Sequence, residues 1–162
     1  MARVWKFGVN VDTDQIVPGR YAPYLRPNED LGLAAFVEAR PEFAEQARPG
    51  DVIVAGRNFG CGSSREYAPL ALKLREVAAI VAPSFARIFY RNAINLGIPL
   101  YVSDAIPEAA QDGDDVVLDA AAGLITIGGR VRDLPALPRF TQDIIDAGGI
   151  VRYVGAHGRF PG

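Results

Sequence analysis

Short apolar runs alternate with amphipathic segments through the middle of the chain. Three of these runs contain no charged residue: Val52–Ala55, Ala78–Ala82 and Ile98–Val102. Such runs are typical of strands buried on both faces of a sheet. The segments between them predict one helix over Ser64–Leu74 and a second that is capped by Ser84 and ends before Gly97. Pro69 would suit the first turn of a helix with a later start. The alternation of strands and helices predicts an α/β fold with a parallel core.

The C-terminal third has a different pattern. Three four-residue runs separated by turn residues predict an antiparallel meander: Val116–Asp119, Leu124–Ile127 and Arg130–Asp133. Gly128-Gly129 suits the two-residue turn of a hairpin. Phe140–Ala147 predicts a last helix, which ends at a glycine pair.

The N-terminal part combines one strand with a long proline-containing loop. The strand is predicted over Arg3–Val9 and the loop over Asn10–Pro27, and ordered loops of this length are often functional. Two helices are predicted to follow, over Asn28–Glu38 with Asn28 as N-cap and over Pro41–Gln46.

Length and composition narrow the possible functions. The chain has 162 residues, so we expect a single domain over 1–162. The net charge of −2 argues against a nucleic-acid partner, which needs a surplus of basic residues. No apolar run reaches the roughly 18 residues of a membrane span, and no signal-peptide pattern opens the chain. We therefore expect a cytoplasmic protein without a membrane partner.

Cys61 and His157 are the only cysteine and histidine, which argues against a self-contained metal site.

The densest candidate for chemistry is the glycine-rich connection after the first apolar run, which reads Gly60-Cys61-Gly62-Ser63-Ser64-Arg65-Glu66. Glycines let the backbone turn sharply and approach a ligand, and the start of a helix attracts anions. Arg65 adds a planar fork suited to a carboxylate or phosphate, and Ser63 and Ser64 add hydroxyl groups. The alternative interpretation is a capped helix after a tight turn.

Two features of the long loop are also candidates. Asp12-Thr13-Asp14-Gln15-Ile16 places two acids around a threonine, which could bind a cation, orient a basic side chain or form a capping network of the loop. Tyr24-Leu25-Arg26 places an arginine on a proline-bounded loop, where it is either solvated surface or a ligand contact.

Other enzyme and binding classes fit the sequence less well. A serine hydrolase needs a base beside its serine, but the pattern Gly-x-Ser-x-Gly is absent and His157 is the only histidine. A nucleotide-binding module is disfavoured because the chain lacks both Gly-x-x-x-x-Gly-Lys-Ser/Thr and a complete Gly-x-Gly-x-x-Gly after the first strand.

Three motifs, taken together, resemble the small subunit of the aconitase superfamily: Asp12–Ile16, Gly60–Glu66 and Ser84–Asn92. The closest branch is the two-subunit isopropylmalate dehydratase and homoaconitase group, and the ending His157–Gly162 resembles bacterial homoaconitase small subunits in particular. The resemblance implies an aconitase swivel-type domain, which is a β/β/α sandwich.

The resemblance also implies a reaction. A hydro-lyase of this group isomerises a hydroxy-polycarboxylate through a cis-alkene, which for homoaconitase means homocitrate, cis-homoaconitate and homoisocitrate in lysine biosynthesis by the α-aminoadipate route. The alternatives are a 3-isopropylmalate dehydratase small subunit of leucine biosynthesis and a non-catalytic structural partner subunit. The chain is expected to work only with a large subunit, in a heterodimer or heterotetramer. That subunit would carry the [4Fe–4S] cluster, and this chain would bind no cofactor.

Residue roles carry over from the matched motifs. Ser63 is implied as the base that removes the proton, acting as an alkoxide, and Ser64 and Arg65 are implied to hold a substrate carboxylate. Asp14 matches an aspartate that orients charged groups. Arg26 matches a substrate-binding arginine, and an arginine there suits the distal carboxylate of homoaconitate.

Three positions of the sequence add detail to the resemblance. Cys61 is expected to fill space rather than to bind the cluster. Aconitases usually have histidine at the position of Tyr67, and several relatives have threonine or a hydrophobic residue at that of Pro27. These two departures leave the implied base unchanged and bear on the substrate.

Overall fold

Two β-sheets form the framework of the protein in a computed structural model that describes residues 1–23 and 30–162. The first is a parallel sheet of four strands in the order of the chain: β1 (Val4–Lys6), β2 (Val52–Val54), β3 (Ala79–Ala82) and β4 (Leu100–Val102). The second is an antiparallel sheet of three strands: β5 (Val116–Asp119), β6 (Leu124–Ile127) and β7 (Arg130–Asp133). The predicted parallel core and C-terminal meander are both confirmed.

Successive side chains of the parallel sheet enter two different cores. Ile53 and Ile80 belong to the core that contains the helices, whereas Val52 and Val81 belong to the core shared with the antiparallel sheet. All four are fully buried, which explains why their strands are apolar on every residue. The parallel sheet is therefore the middle layer of a β/β/α arrangement.

Seven α-helices lie within the described part of the chain: α1 (Thr13–Ile16), α2 (Pro41–Gln46), α3 (Tyr67–Leu74), α4 (Arg87–Asn95), α5 (Ala105–Ala109), α6 (Arg139–Ala147) and α7 (Ile150–His157). Pro41 is the first residue of α2, where a helix does not need its missing N–H. Gly148 ends α6 in the left-handed conformation, with φ 86°. None of the helices in the described ranges is long and apolar enough to cross a membrane.

Two helices begin later than predicted. α3 begins at Tyr67 instead of Ser64, so that Pro69 lies in its first turn, where its missing N–H is tolerated. The prediction of Ser84 as the N-cap of α4 was wrong, because the cap residue is Ala86. The Ser84 hydroxyl instead accepts a hydrogen bond from the Asn58 N–H at 2.9 Å.

The prediction of a helix over Asn28–Glu38 is also wrong for the residues that the structure describes. Asn28, the predicted N-cap, lies outside them. In place of an α-helix, the described residues of this range form turns, among them the 3-10 turn Gly32–Ala34. Phe36 has a left-handed backbone with φ 55°, which no regular helix accommodates. Its side chain is fully buried, and its N–H binds the Ile16 carbonyl at 2.8 Å. The left-handed residue therefore interrupts the predicted helix at the point where its ring enters the core.

Candidate functional site

Three connections leave the carboxyl ends of neighbouring strands and remain side by side. The connections after β1 and β2 exchange backbone hydrogen bonds, from the Asn10 N–H to the Arg57 carbonyl at 2.8 Å and from the Gly60 N–H to the Val11 carbonyl at 2.7 Å. The connection after β3 joins them through the Ala86 N–H, which binds the Phe59 carbonyl at 2.9 Å. The glycine-rich connection therefore lies between the other two, where the strand order places it.

Gly60 allows this connection to lie directly against α4. Its φ is 84°, and a Cβ atom added there would lie 2.2 Å from Cγ of Phe89. Phe59 is fully buried and packs edge-on against Phe89, with ring centroids 5.3 Å apart. A glycine is thus required on both conformational and steric grounds.

The helix α1 holds the backbone of the serine segment Gly62–Arg65. The Thr13 N–H binds the Cys61 carbonyl, and the Thr13 hydroxyl donates to the Ser63 carbonyl, each at 2.9 Å. Thr13 is 3% exposed, so water competes little for this bond. Sequence reasoning did not select Thr13 as a site residue, although its two hydrogen bonds join the two motifs.

The two acids of the Asp12–Ile16 motif have different roles. Asp12 forms a capping box with Gln15: its carboxylate accepts the Gln15 N–H at 2.8 Å, and its own N–H binds the Gln15 side chain at 2.9 Å. Asp14 forms an ion pair with Arg65. The capping and orienting interpretations of this loop both hold. The described residues contain no group of three His, Cys, Asp or Glu side chains that could hold a metal ion.

Arg65 is held on several sides. Its side chain is 25% exposed in the pair with Asp14, and its guanidinium lies 5.9 Å from the ring centroid of Tyr67. A Cβ atom at Gly19 would lie 3.1 Å from its Nη1, so the chain approaches the guanidinium closely there. Asp14 is 61% exposed, and the pair therefore orients Arg65 more than it stabilises the fold.

A cavity of about 500 Å³ opens beside these residues. It is lined by the serine segment, Thr13, Gly60 and one side of α4, where the lining residues include Arg87, Arg91 and Asn92. Ser63 and Ser64 are both exposed. Their side chains are thus open to a molecule in this space, and Arg65 forms part of its wall.

The structure brings together most of the side chains that the sequence predicts for the site. Ser63, Ser64 and Arg65 line one cavity, and Asp14 contacts Arg65 from outside the lining. The prediction for Arg26 lies outside the described residues. Sequence reasoning missed the polar side chains of α4. The four-residue spacing of Arg87 and Arg91 would have placed these two on one face of the helix.

Comparisons with known proteins agree with the motifs. A family model described as the aconitase C-terminal domain matches residues 10–105. The chain is 51% identical over 162 residues to 3-isopropylmalate dehydratase small subunit 1 of Deinococcus radiodurans, covering 100% of this chain and 91% of that one. It is 49% identical over 162 residues to the homoaconitase small subunit of Thermus thermophilus, covering 100% and 99%.

A solved structure gives the same result. The crystal structure of a 3-isopropylmalate dehydratase from Methanocaldococcus jannaschii superposes with a TM-score of 0.86 at 40% identity, covering 97% of this chain and 93% of that one. These relatives confirm the family and the enzyme class that the motifs predict, and their names include both substrates. The chain belongs to the aconitase C-terminal domain family, among those members that are separate small subunits.

Proposed function

We propose that in this small subunit of a two-subunit hydro-lyase Ser63 removes the proton alpha to a substrate carboxylate. The observation that carries this proposal is the cavity that Ser63, Ser64 and Arg65 line together. Removal of a proton next to a carboxylate needs a base and a cationic group that binds the carboxylate. A serine hydroxyl beside an arginine supplies both.

Charge rather than a helix dipole supports Ser63 in this role. A serine hydroxyl is a weak acid, so its alkoxide needs positive charge nearby. α3 begins only at Tyr67, four residues beyond Ser63, and the field of a helix end falls off within one turn. Arg65, whose guanidinium Asp14 orients, is only two residues from Ser63 in the sequence and supplies a full positive charge. Ser64 and Arg65 would bind the carboxylate that activates the neighbouring proton.

The rest of the reaction needs the partner chain. The relatives are named as small subunits, so this chain has a large-subunit partner, and we assign the [4Fe–4S] cluster to that partner. When bound there, the cluster supplies a Lewis acid for the departing hydroxyl group. The residues of this chain would meanwhile orient the carboxylate and accept the proton at the Ser63 oxygen.

The preferred substrate class is a hydroxy-tricarboxylate of the homocitrate type. Arg26 supports this choice from the sequence, since an arginine at that position suits a distal carboxylate. A 3-isopropylmalate substrate is the second candidate, because a relative of that name is 51% identical to this chain.

Replacement of Ser63 by alanine tests the catalytic proposal. We expect Ser63→Ala to reduce kcat by several orders of magnitude in the complex with the large subunit, while the subunits still associate. Ser103→Ala is the matched control, because Ser103 lies outside the cavity and its hydroxyl accepts the Ile106 N–H at the start of α5. The control should lose about 1 kcal/mol of stability and keep its turnover. Near-normal turnover of Ser63→Ala would exclude Ser63 as the base.

Replacement of Arg26 by valine tests the substrate. We expect Arg26→Val to lower kcat/KM for cis-homoaconitate at least tenfold, because the distal carboxylate of that substrate loses its charged partner. The kcat/KM for isopropylmaleate should change much less, since its isopropyl group needs no charged partner. The ratio of the two values, measured with the same large subunit, is the readout. An unchanged ratio would place the choice of substrate elsewhere in the complex.

A further inference from the structure

Two arginines in the Ser63 cavity have no part in the function proposed above. Arg87 and Arg91 lie one turn apart on α4, and both line the cavity. Both side chains are exposed. Three ion pairs are formed within residues 1–23 and 30–162, and neither arginine takes part in them.

These positions weaken the helix that carries them. Arg87 is the first residue of α4, and the first turn contains no acidic residue. A cation at a helix N-terminus opposes the helix dipole, and like charges four residues apart repel each other. Residues that break a local rule without a visible structural gain point to a function. A bound anion would remove both penalties.

The composition of the cavity indicates what that anion is. None of the described residues that line it is acidic, so no carboxylate of this described lining would repel an anion. Its volume of about 500 Å³ is within the range of small-molecule sites. Because Ser63 and the two arginines share this space, a ligand of the arginines would also be close to the proposed base.

We propose that Arg87 and Arg91 form a second carboxylate-binding arm of the cavity, which holds a substrate carboxylate other than the one at Ser64 and Arg65. Guanidinium groups bind carboxylates through paired hydrogen bonds and keep their charge at any physiological pH. Because Arg26 is assigned the distal carboxylate above, the arm would hold the remaining carboxylate of a tricarboxylate. The reacting carbon would meanwhile lie at Ser63. This inference rests on the proposed function and adds the part of the site that binds the rest of the substrate.

The test uses the complex with the large subunit and the probe tricarballylate, which has three carboxylates and no hydroxyl group to eliminate. We expect Arg87→Met and Arg91→Met each to raise the inhibition constant of tricarballylate tenfold or more. The KM of the substrate should rise similarly, with kcat within threefold of wild type. The reason is that the lost contact would stabilise the bound substrate and the transition state equally. Arg91→Lys keeps the charge and should keep more of the affinity. Arg130→Met is the matched control, since Arg130 is exposed on β7 and outside the cavity.

Two results would overturn the proposal. In the first, the inhibition constant and KM remain within twofold of wild type. In the second, the variants need more small subunit to saturate the large one, yet the saturated complex binds tricarballylate normally; the arginines would then contact the partner chain. Neither result affects the role of Ser63, which the Ser63→Ala variant tests separately.

Discussion

The hydrogen bond from Thr13 to Ser63 gives a direct test of how the site is held in place. Thr13→Val replaces the buried hydroxyl with a methyl group of similar size, so the packing changes little. The Ser63 carbonyl loses the donor that lies 2.9 Å away. Loss of a buried hydrogen-bond partner costs about 1–3 kcal/mol of stability.

That loss is too small to unfold the protein. Domains of this size have a free energy of unfolding of about 5–15 kcal/mol, so even the largest expected loss leaves the great majority of molecules folded. A misplacement of about 1 Å at a reacting group can cost about 100-fold in rate. We therefore expect kcat of Thr13→Val to fall about 10- to 100-fold through displacement of the serine segment, with a smaller change in KM.

Thr13→Ser provides the matched comparison, because it keeps the donor and removes only the methyl group. Steady-state kinetics with a saturating large subunit measures kcat and KM, and thermal melting followed by circular dichroism measures stability. We expect Thr13→Ser to keep at least half of the wild-type kcat. The reasoning fails if Thr13→Val turns over at the wild-type rate, or if Thr13→Ser is as slow as Thr13→Val.

Three further predictions concern packing, pH and cofactor content. The free energy of unfolding in urea should fall by about 2–5 kcal/mol in Gly60→Ala, because the change combines a positive φ with a clash against Phe89. Gly113 has φ 86° and no atom within 4 Å of an added Cβ, so Gly113→Ala measures the backbone cost alone. Equal losses in the two variants would rule out the clash. Burial opposes ionisation of Asp112, but hydrogen bonds from the Arg40 side chain and the Lys6 N–H outweigh it and hold the Asp112 pKa below its ordinary value of 3.8. This carboxylate therefore stabilises the fold above about pH 4 and loses its effect as the pH falls through the folded-state pKa; Asp112→Asn should cost up to about 1 kcal/mol at pH 7, and a loss that is as large at pH 3 would contradict this. The chain purified alone should be colourless and free of iron by elemental analysis, and a stoichiometric cluster would contradict its assignment to the large subunit.

The sequence predicts the sheets better than the helices near the site. β5, β6 and β7 have the predicted bounds, because alternation and glycine turns are local signals. α1 was missed since it has only four residues, although its capping box could have been found from the spacing of Asp12 and Gln15. The left-handed backbone of Phe36 could not be predicted, because its buried ring stacks on Phe7, which is 29 residues away in the sequence.

Some residues of the site could be predicted from the sequence and others could not. Ser63, Ser64 and Arg65 are adjacent in the sequence and share one motif, so their proximity needed no structure. The contact of Thr13 with Ser63 joins residues 50 positions apart, and the presence of Arg87 and Arg91 in the same cavity depends on how α4 packs. The first depends on the pairing of neighbouring strands and the second on helix packing, and no short segment of sequence encodes either.

The backbone ladder that continues from β1 and β2 into their connections makes strand register a determinant of where the proposed base Ser63 lies. Val4 is opposite Val52 in the sheet, and the same alignment brings Thr13 to Cys61 and Ser63 nine to eleven residues later. A slip of one residue would shift the two connections by about 3.3 Å and exchange the side chains facing the two cores. That shift exceeds the tolerance of a hydrogen bond, so the slipped form would lose the contacts of α1 with the serine segment. The apolar contacts that keep β2 in register, although none of the β2 residues lines the cavity, therefore also help to set the position of Ser63.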